Sequence, residues 1–361
     1  MNVSGGGVCL YMQEKGRLSC EKARLLCVAA NLACALLVGK HGSQFHACAL
    51  SFAIYIEKGQ RLPVVSHDME PSDSVRGAAQ APVLPVEASS TPPLLELRGV
   101  SKTFGSVQAL GSFHATIAPG EFVTVVGPSG CGKSTLFNIV AGLEEPDVGG
   151  TIRFQDRSVH ASDLLGNVSF MPQRDLLLPW RTVIDNAILP LDVEGAPRKA
   201  SRERARAMLP EFGLAGFGDQ YPNQLSGGMR QRVALMRTFM FKRDLMLLDE
   251  PFGALDALTR TMMQRWLLDV WQTHKRTILF ITHDVDEALF LGDRVIVMSA
   301  RPGSVKLEQK VDLPRPRPAE VVISPEFIRL KRTLLEAIEE EAMKSFAAPG
   351  ADLAPKAPES H

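Results

Sequence analysis

The chain carries no excess of charge of either sign: 40 lysines and arginines balance 40 aspartates and glutamates across 361 residues. That balance removes any bulk electrostatic case for nucleic acid or an anionic membrane surface as partner. From residue 94 onward no apolar run approaches the roughly 20 residues that a spanning helix needs, so a membrane role would demand separate membrane subunits. No two cysteines have the close Cys-x2-Cys spacing of a zinc site. Five of the six (Cys9, Cys20, Cys27, Cys34 and Cys48) fall in the first fifty residues instead.

What the sequence does have is a loop built for phosphate. Gly127-Pro128-Ser129-Gly130-Cys131-Gly132-Lys133-Ser134, followed by Thr135, has the G-x4-G-K-S form. The preceding Glu-Phe-Val-Thr-Val-Val, residues 121–126, reads as a buried strand. The glycines let the backbone curl so that successive N–H groups point at phosphate oxygens, and the helix beginning near Lys133 adds its positive end. In this pattern Lys133 reaches the β- and γ-phosphates of a nucleotide such as ATP, and the Ser134 hydroxyl is a ligand for Mg2+. The order strand–loop–helix makes a chance glycine-rich turn a poor explanation.

An acidic partner lies farther on. Leu245-Met246-Leu247-Leu248 suits a central parallel strand and ends in Asp249-Glu250, two carboxylates at the edge where α/β folds place ligands. Asp249 is the candidate for Mg2+, directly or through its water. Glu250 is placed to polarise the attacking water. Read without the phosphate loop, the pair would serve equally well as a cap for the following turn. His283 follows another strand-like run, Thr277-Ile278-Leu279-Phe280-Ile281, and therefore also sits at a strand's C-terminal end.

With these motifs in order, residues 94–318 resemble the nucleotide-binding subunit of an ATP-binding-cassette (ABC) transporter. The resemblance assigns adenine stacking to Phe104 and sensing of Mg2+ and water to Gln173 of Met171-Pro172-Gln173. It assigns the family signature to Leu225-Ser226-Gly227-Gly228, coupling of the two sites to Gly253-Ala254-Leu255-Asp256, and a γ-phosphate contact to His283. Glu250, His283 and Gln173 are thus the expected catalytic set, and Ser134, Gln173 and Asp249 the expected metal set. It further implies a two-fold homodimer in which Ser226, Gly227 and Gly228 of one copy close over the ATP held by the other, so that a lone copy is nearly inert. Permease subunits and an extracytoplasmic solute-binding protein complete the implied assembly, which places the chain peripherally on the cytoplasmic face of the inner membrane. Nucleic acid is not an expected partner.

The fold class that follows is α/β: a P-loop NTPase cassette with a parallel-sheet core, an antiparallel β subdomain and a helical subdomain carrying the signature. Residues 94–101 and 112–117 read as antiparallel strands, and 202–209 as a charged, periodic helix. Between Lys133 and Ser226 there is no long heptad array, unlike the coiled-coil relatives that act on chromosomes and in DNA repair. Leu178-Pro179-Trp180-Arg181-Thr182-Val183 and Asp312-Leu313-Pro314-Arg315-Pro316-Arg317 resemble importer ATPases of the nitrate, sulfonate and taurine group. Gln173-Arg174-Asp175 also resembles members that take up pyrimidine precursors of thiamine. Residues 176–180 are the candidate surface for a permease coupling helix; packing within the subdomain is the other reading. An exporter ATPase and a soluble cassette protein acting on ribosomes or DNA stand as alternatives, although the latter usually carry tandem cassettes or a coiled coil.

Residues 1–93 do not fit the cassette. The apolar stretch 25–38 follows Lys15, Arg17, Lys22 and Arg24 and resembles a signal peptide, but export would separate an ATPase from its ATP. The preferred expectation is a start codon assigned too early, with Met69 as the true start and residues 69–93 a loose leader; a membrane-attached or redox-active extension is the competing view. At the other end, Ser324-Pro325-Glu326 has the form of a helix start. Phe327, Leu330, Leu334, Leu335 and Ile338 then follow at helical spacing, giving a C-terminal helix over 319–346 that packs on the cassette. Residues 347–361 are expected to be disordered.

Overall fold

The computed structural model describes residues 92–347. The expectations for the cysteine-rich stretch, for Met69 and for the residues after 347 lie outside the described residues. Strands β1 (Leu95–Phe104) and β2 (Val107–Ile117) form an antiparallel hairpin. Both outrun the expected 94–101 and 112–117, because irregular register lets the pairing continue to Phe104 and Val107. Leu95, Leu97, Val100, Leu110, Phe113 and Ile117 are buried, as half-buried strands require. Strand β3 (Phe122–Val126) is buried throughout and runs through the glycine loop into helix α1 (Lys133–Val140). The short pair β4 (Thr151–Phe154) and β5 (Arg157–Val159) completes a four-stranded antiparallel sheet in the order β2-β1-β4-β5.

After β6 (Ser169–Met171) the chain becomes helical: α2 (Val183–Ala187), α3 (Leu189–Val193), α4 (Arg198–Met208) and α5 (Gly227–Met240). Ile184, Ala187, Ala205, Phe212, Val233 and Ala234 belong to the core beneath them. Charge holds the outside. Arg181 pairs with Asp192, Arg198 with both Asp192 and Asp185, Arg202 with Asp185, and Arg206 with Asp219. The expected helix 202–209 begins earlier, at Arg198, and ends at Met208 with Leu209 as its cap.

The second sheet then fills in with β7 (Leu245–Asp249), α6 (Ala257–His274), β8 (Thr277–Ile281), α7 (Val285–Leu291), β9 (Arg294–Met298) and β10 (Val305–Lys310). Its order is β10-β9-β3-β8-β7-β6. The five strands from β9 to β6 are parallel, and β10 adds an antiparallel edge. All residues of β3, β7 and β8 are buried, consistent with continuous apolar runs in strands covered on both faces. β10 alternates half-buried and exposed residues, the mark of an edge.

Helix α8 (Pro325–Ala347) lays Phe327, Leu330 and Leu334 against Val285, Leu289, Val295 and Val297. One expected anchor is corrected: Leu335 is 37% exposed, because a helix seated by 327, 330 and 334 turns the next position outward. Ile338 is partly buried in the same cluster. Among the described residues, no helix is long and apolar enough to cross a membrane.

Candidate active site

β3, β8 and β7 are neighbours in one direction, so the loops leaving their C-terminal ends meet above the sheet. β3 delivers the glycine loop. Gly132 has φ +104°, and a Cβ there would lie 2.5 Å from the Ala109 carbonyl oxygen, so no other residue fits without moving β2. Lys133, 9% exposed, donates from Nζ to the carbonyls of Gly127 and Pro128, each at 2.9 Å. Ser129, Gly130 and Ser134 are exposed, while Gly127, Pro128, Gly132 and Thr135 are half-buried. Cys131 is buried, and burial pushes its thiol up, which makes it a neutral packing group. From outside the loop, Arg301 donates to the Gly130 carbonyl through Nε at 3.1 Å and Nη2 at 2.9 Å.

β7 delivers the acids. Asp249 is 4% exposed. Burial pushes its carboxyl up to about 6; a hydrogen bond from Ser134 opposes the rise, the Glu250 charge adds to it, and the Lys133 charge opposes it. A buried carboxyl bonded to a hydroxyl at a phosphate loop is a donor set that suits Mg2+. Among the described residues there is no cluster of three or more His, Cys, Asp or Glu side chains able to cage a metal. Mg2+ needs none, since it keeps waters and binds through one or two side chains plus phosphates.

Glu250 has φ +48°, a left-handed conformation that costs a non-glycine residue about 1 kcal/mol or more. Its amide donates to the Ile281 carbonyl of β8 at 3.0 Å. Its Oε2 accepts from Gln173 Nε2 at 3.0 Å and lies 3.7 Å from His283 Nδ1. Gln173, Glu250 and His283 come from three different strands' ends, and the structure brings them together on one carboxylate oxygen. Asp284, next to His283, caps α7 by accepting from the amides of Asp286 and Glu287 at 2.9 and 3.2 Å.

The remaining candidates sit apart. Phe104 ends β1 with its ring 46% exposed and the Lys102 ammonium 5.2 Å from the ring centroid. Ser226 caps α5, its hydroxyl accepting from the Met229 amide at 3.2 Å. Ser226 and Gly227 are exposed and Gly228 is half-buried. Among the described residues no hydrogen bond links these three to residues 127–134.

Helix α5 also grips the segment after Gln173. Arg230 donates to the Asp175 carboxylate at 3.1 Å, and Arg237 to the carbonyls of Asp175 and Leu176 at 2.7 and 2.9 Å. Trp180 is left 69% exposed. Sequence reasoning assigns no contact to three further contributors: Gln231, beside the signature, which bonds the Glu250 carbonyl; Arg301 on the loop; and Arg317, the last residue of the 312–317 motif, behind α7. Their partners lie 19, 171 and 28 positions away.

The family model described as "ABC transporter" matches residues 110–253. The aliphatic sulfonates import ATP-binding protein of Burkholderia cenocepacia is 45% identical over 237 residues, 66% of this chain and 85% of that protein. The formylaminopyrimidine import ATP-binding protein of Halalkalibacterium halodurans is 39% identical over 231 residues, 63% of this chain and 89% of that protein. Among solved structures, a dimeric post-hydrolysis state of an ATP-binding cassette with ADP and Pi superposes with a TM-score of 0.56 at 31% identity. It covers 61% of this chain and all of that one.

Proposed function

The chain belongs to the ATP-binding proteins of ABC transporters and is an ATPase, and from that premise we propose that it powers an importer of the nitrate, sulfonate and taurine type. Lys133, the amides of the glycine loop and Thr135 in the first turn of α1 hold the phosphates, and Phe104 stacks on adenine. Asp249, Ser134 and Gln173 hold Mg2+, which offsets phosphate charge. Glu250 takes a proton from the water whose oxygen bonds to the γ-phosphorus as the bond to the ADP oxygen breaks, with Gln173 fixing its carboxylate and His283, beside it, contacting the γ-phosphate. Ser226, Gly227 and Gly228 close over the nucleotide of a second copy, so the working unit is a head-to-tail pair. The observation that carries the catalytic reading is the meeting of Gln173 and His283 on Glu250 Oε2.

For the importer, the supporting observation is Trp180, exposed at the end of a segment that α5 holds in place. Residues 176–180 dock a permease, which keeps the chain on the cytoplasmic face of the inner membrane, and a solute-binding protein outside selects the cargo. Sulfonates and formylaminopyrimidines are the two cargo classes that the relatives' names offer. The test is mass spectrometry of the C-terminally tagged chain purified from native membranes. Co-purification of a polytopic permease is the expected result. Ribosomal or DNA-bound partners, with no membrane subunit, would overturn the transport reading and leave the ATPase standing.

A further inference from the structure

Gln231 lies five positions beyond the cap Ser226 on helix α5 and is 6% exposed. Both ends of its amide are used. Nε2 donates to the Glu250 carbonyl at 3.1 Å, and Oε1 accepts from the Ala254 amide at 3.1 Å. The orientation is fixed by chemistry, because a carbonyl can only accept and a peptide N–H can only donate. One side chain therefore spans from the peptide of the general base to the loop Gly253-Ala254-Leu255-Asp256.

The base is the residue that needs such a brace. Glu250 stands at φ +48°, and a non-glycine residue stays there only when its surroundings hold it. Its amide is tied to Ile281, and its carbonyl also accepts from the Gly253 amide at 3.1 Å. Both of those bonds are made by backbone close to the site. The Gln231 bond comes instead from the signature helix, whose N-terminus is the part offered to a second copy's nucleotide.

We propose that Gln231 is a positioning residue for hydrolysis: it holds the Glu250 peptide and the Ala254 loop against α5, so that the base is aimed only while the signature helix is seated. The role rests on the reading of Glu250 as the base. Gln231→Leu keeps the volume and removes both hydrogen bonds. Gln231→Glu keeps the acceptor for the Ala254 amide and replaces the donor with a carboxylate oxygen facing the Glu250 carbonyl.

The experiment measures Mg-ATP hydrolysis by the full-length chain, in steady state and single turnover, for Gln231→Leu, Gln231→Glu, Glu250→Gln and the double variant that combines Gln231→Leu with Glu250→Gln. Each Gln231 variant is expected to lower kcat by about 10- to 100-fold, the scale of a misaimed catalytic group, with KM for ATP within about 2-fold of the parent. The double variant should be no slower than Glu250→Gln alone, because both changes act through one group. If Gln231→Leu does not fold, Gln231→Glu carries the same comparison, including its pairing with Glu250→Gln. Unchanged kcat, a rise in KM at constant kcat, or an equal loss in the parent and Glu250→Gln backgrounds would each overturn the proposal. Rapid turnover by Glu250→Gln alone would remove the base and the positioning role together. A fully active Gln231→Leu beside an inert Glu250→Gln would remove the positioning role only.

Discussion

Replacing Arg317 with methionine should destabilise the fold by about 2–5 kcal/mol, because it leaves buried carbonyls without a donor at about 1–3 kcal/mol each. The guanidinium is 6% exposed. Its Nη1 donates to the carbonyls of Leu289, Phe290 and Gly292 at 2.9, 2.9 and 2.7 Å. These oxygens belong to the last turn of α7 and the residue after it, where a helix leaves carbonyls without intrahelical partners and where its dipole favours a cation. Nη1 carries two hydrogens, so its three contacts amount to about two charge-assisted bonds at about 1.5–3 kcal/mol each, or about 3–6 kcal/mol in all. Desolvation works against that sum: burial, joined by the neighbouring Arg315 charge and opposed by Asp293, holds Arg317 down to about 10. The fourth contact, to Val311 at 3.5 Å, adds little. Methionine would fill the space and leave the three carbonyls buried. Urea unfolding followed by tryptophan fluorescence reads the change as a lower midpoint at constant slope. Arg317→Lys should fall in between, since an ammonium cannot copy the planar fork. A loss under about 1 kcal/mol for Arg317→Met would refute the argument, because it would mean that water replaces the guanidinium at α7.

Phe104→Ala should raise KM for ATP by about 5- to 30-fold with kcat little changed. Ring stacking on a base is worth about 1–2 kcal/mol and acts on ground and transition states alike; a fall in kcat at constant KM would remove Phe104 as the adenine platform. Asp185 supplies a pH test. Burial pushes its carboxyl up, but hydrogen bonds from Arg202 and Arg198 outweigh that and hold it below the ordinary 3.8. A folded value below the unfolded one contributes stability that is present above about pH 4 and lost as pH falls through the folded value. Thermal midpoints of Asp185→Asn should therefore fall less steeply than those of the parent between about pH 5 and 3; parallel curves would show that the ion pairs do not stabilise the helical subdomain.

The parts of this molecule that were legible in the sequence are those in which chemistry needs contiguous backbone. A phosphate cradle requires consecutive N–H groups, so residues 127–134 had to stand together, and Gly132 is fixed by one close approach to Ala109. The α/β class was legible for a similar reason: β3, β7 and β8 are buried on both faces and read as unbroken apolar runs. β10 escaped because an edge strand alternates weakly and borrows its pairing from β9. Leu335 shares the helical spacing of the buried positions and is still exposed, because spacing defines a stripe without defining how wide a groove will receive it. The signature string reads Ser226 and its glycines as an anion-facing helix start and says nothing of the contacts the same helix makes farther along.

Those contacts become visible only as bonds between residues far apart in the chain. Gln231 reaches Glu250 and Ala254, 19 and 23 positions on, and Arg237 reaches back 61 and 62 positions to Leu176 and Asp175. α5 thus touches Glu250 on one side and the segment leading to Trp180 on another. A small shift of one helix would be felt at both places, since packed and hydrogen-bonded interiors transmit displacement rather than absorb it. The bonds that α5 makes to these two places come from Gln231 and Arg237, nearly two turns apart on the same helix.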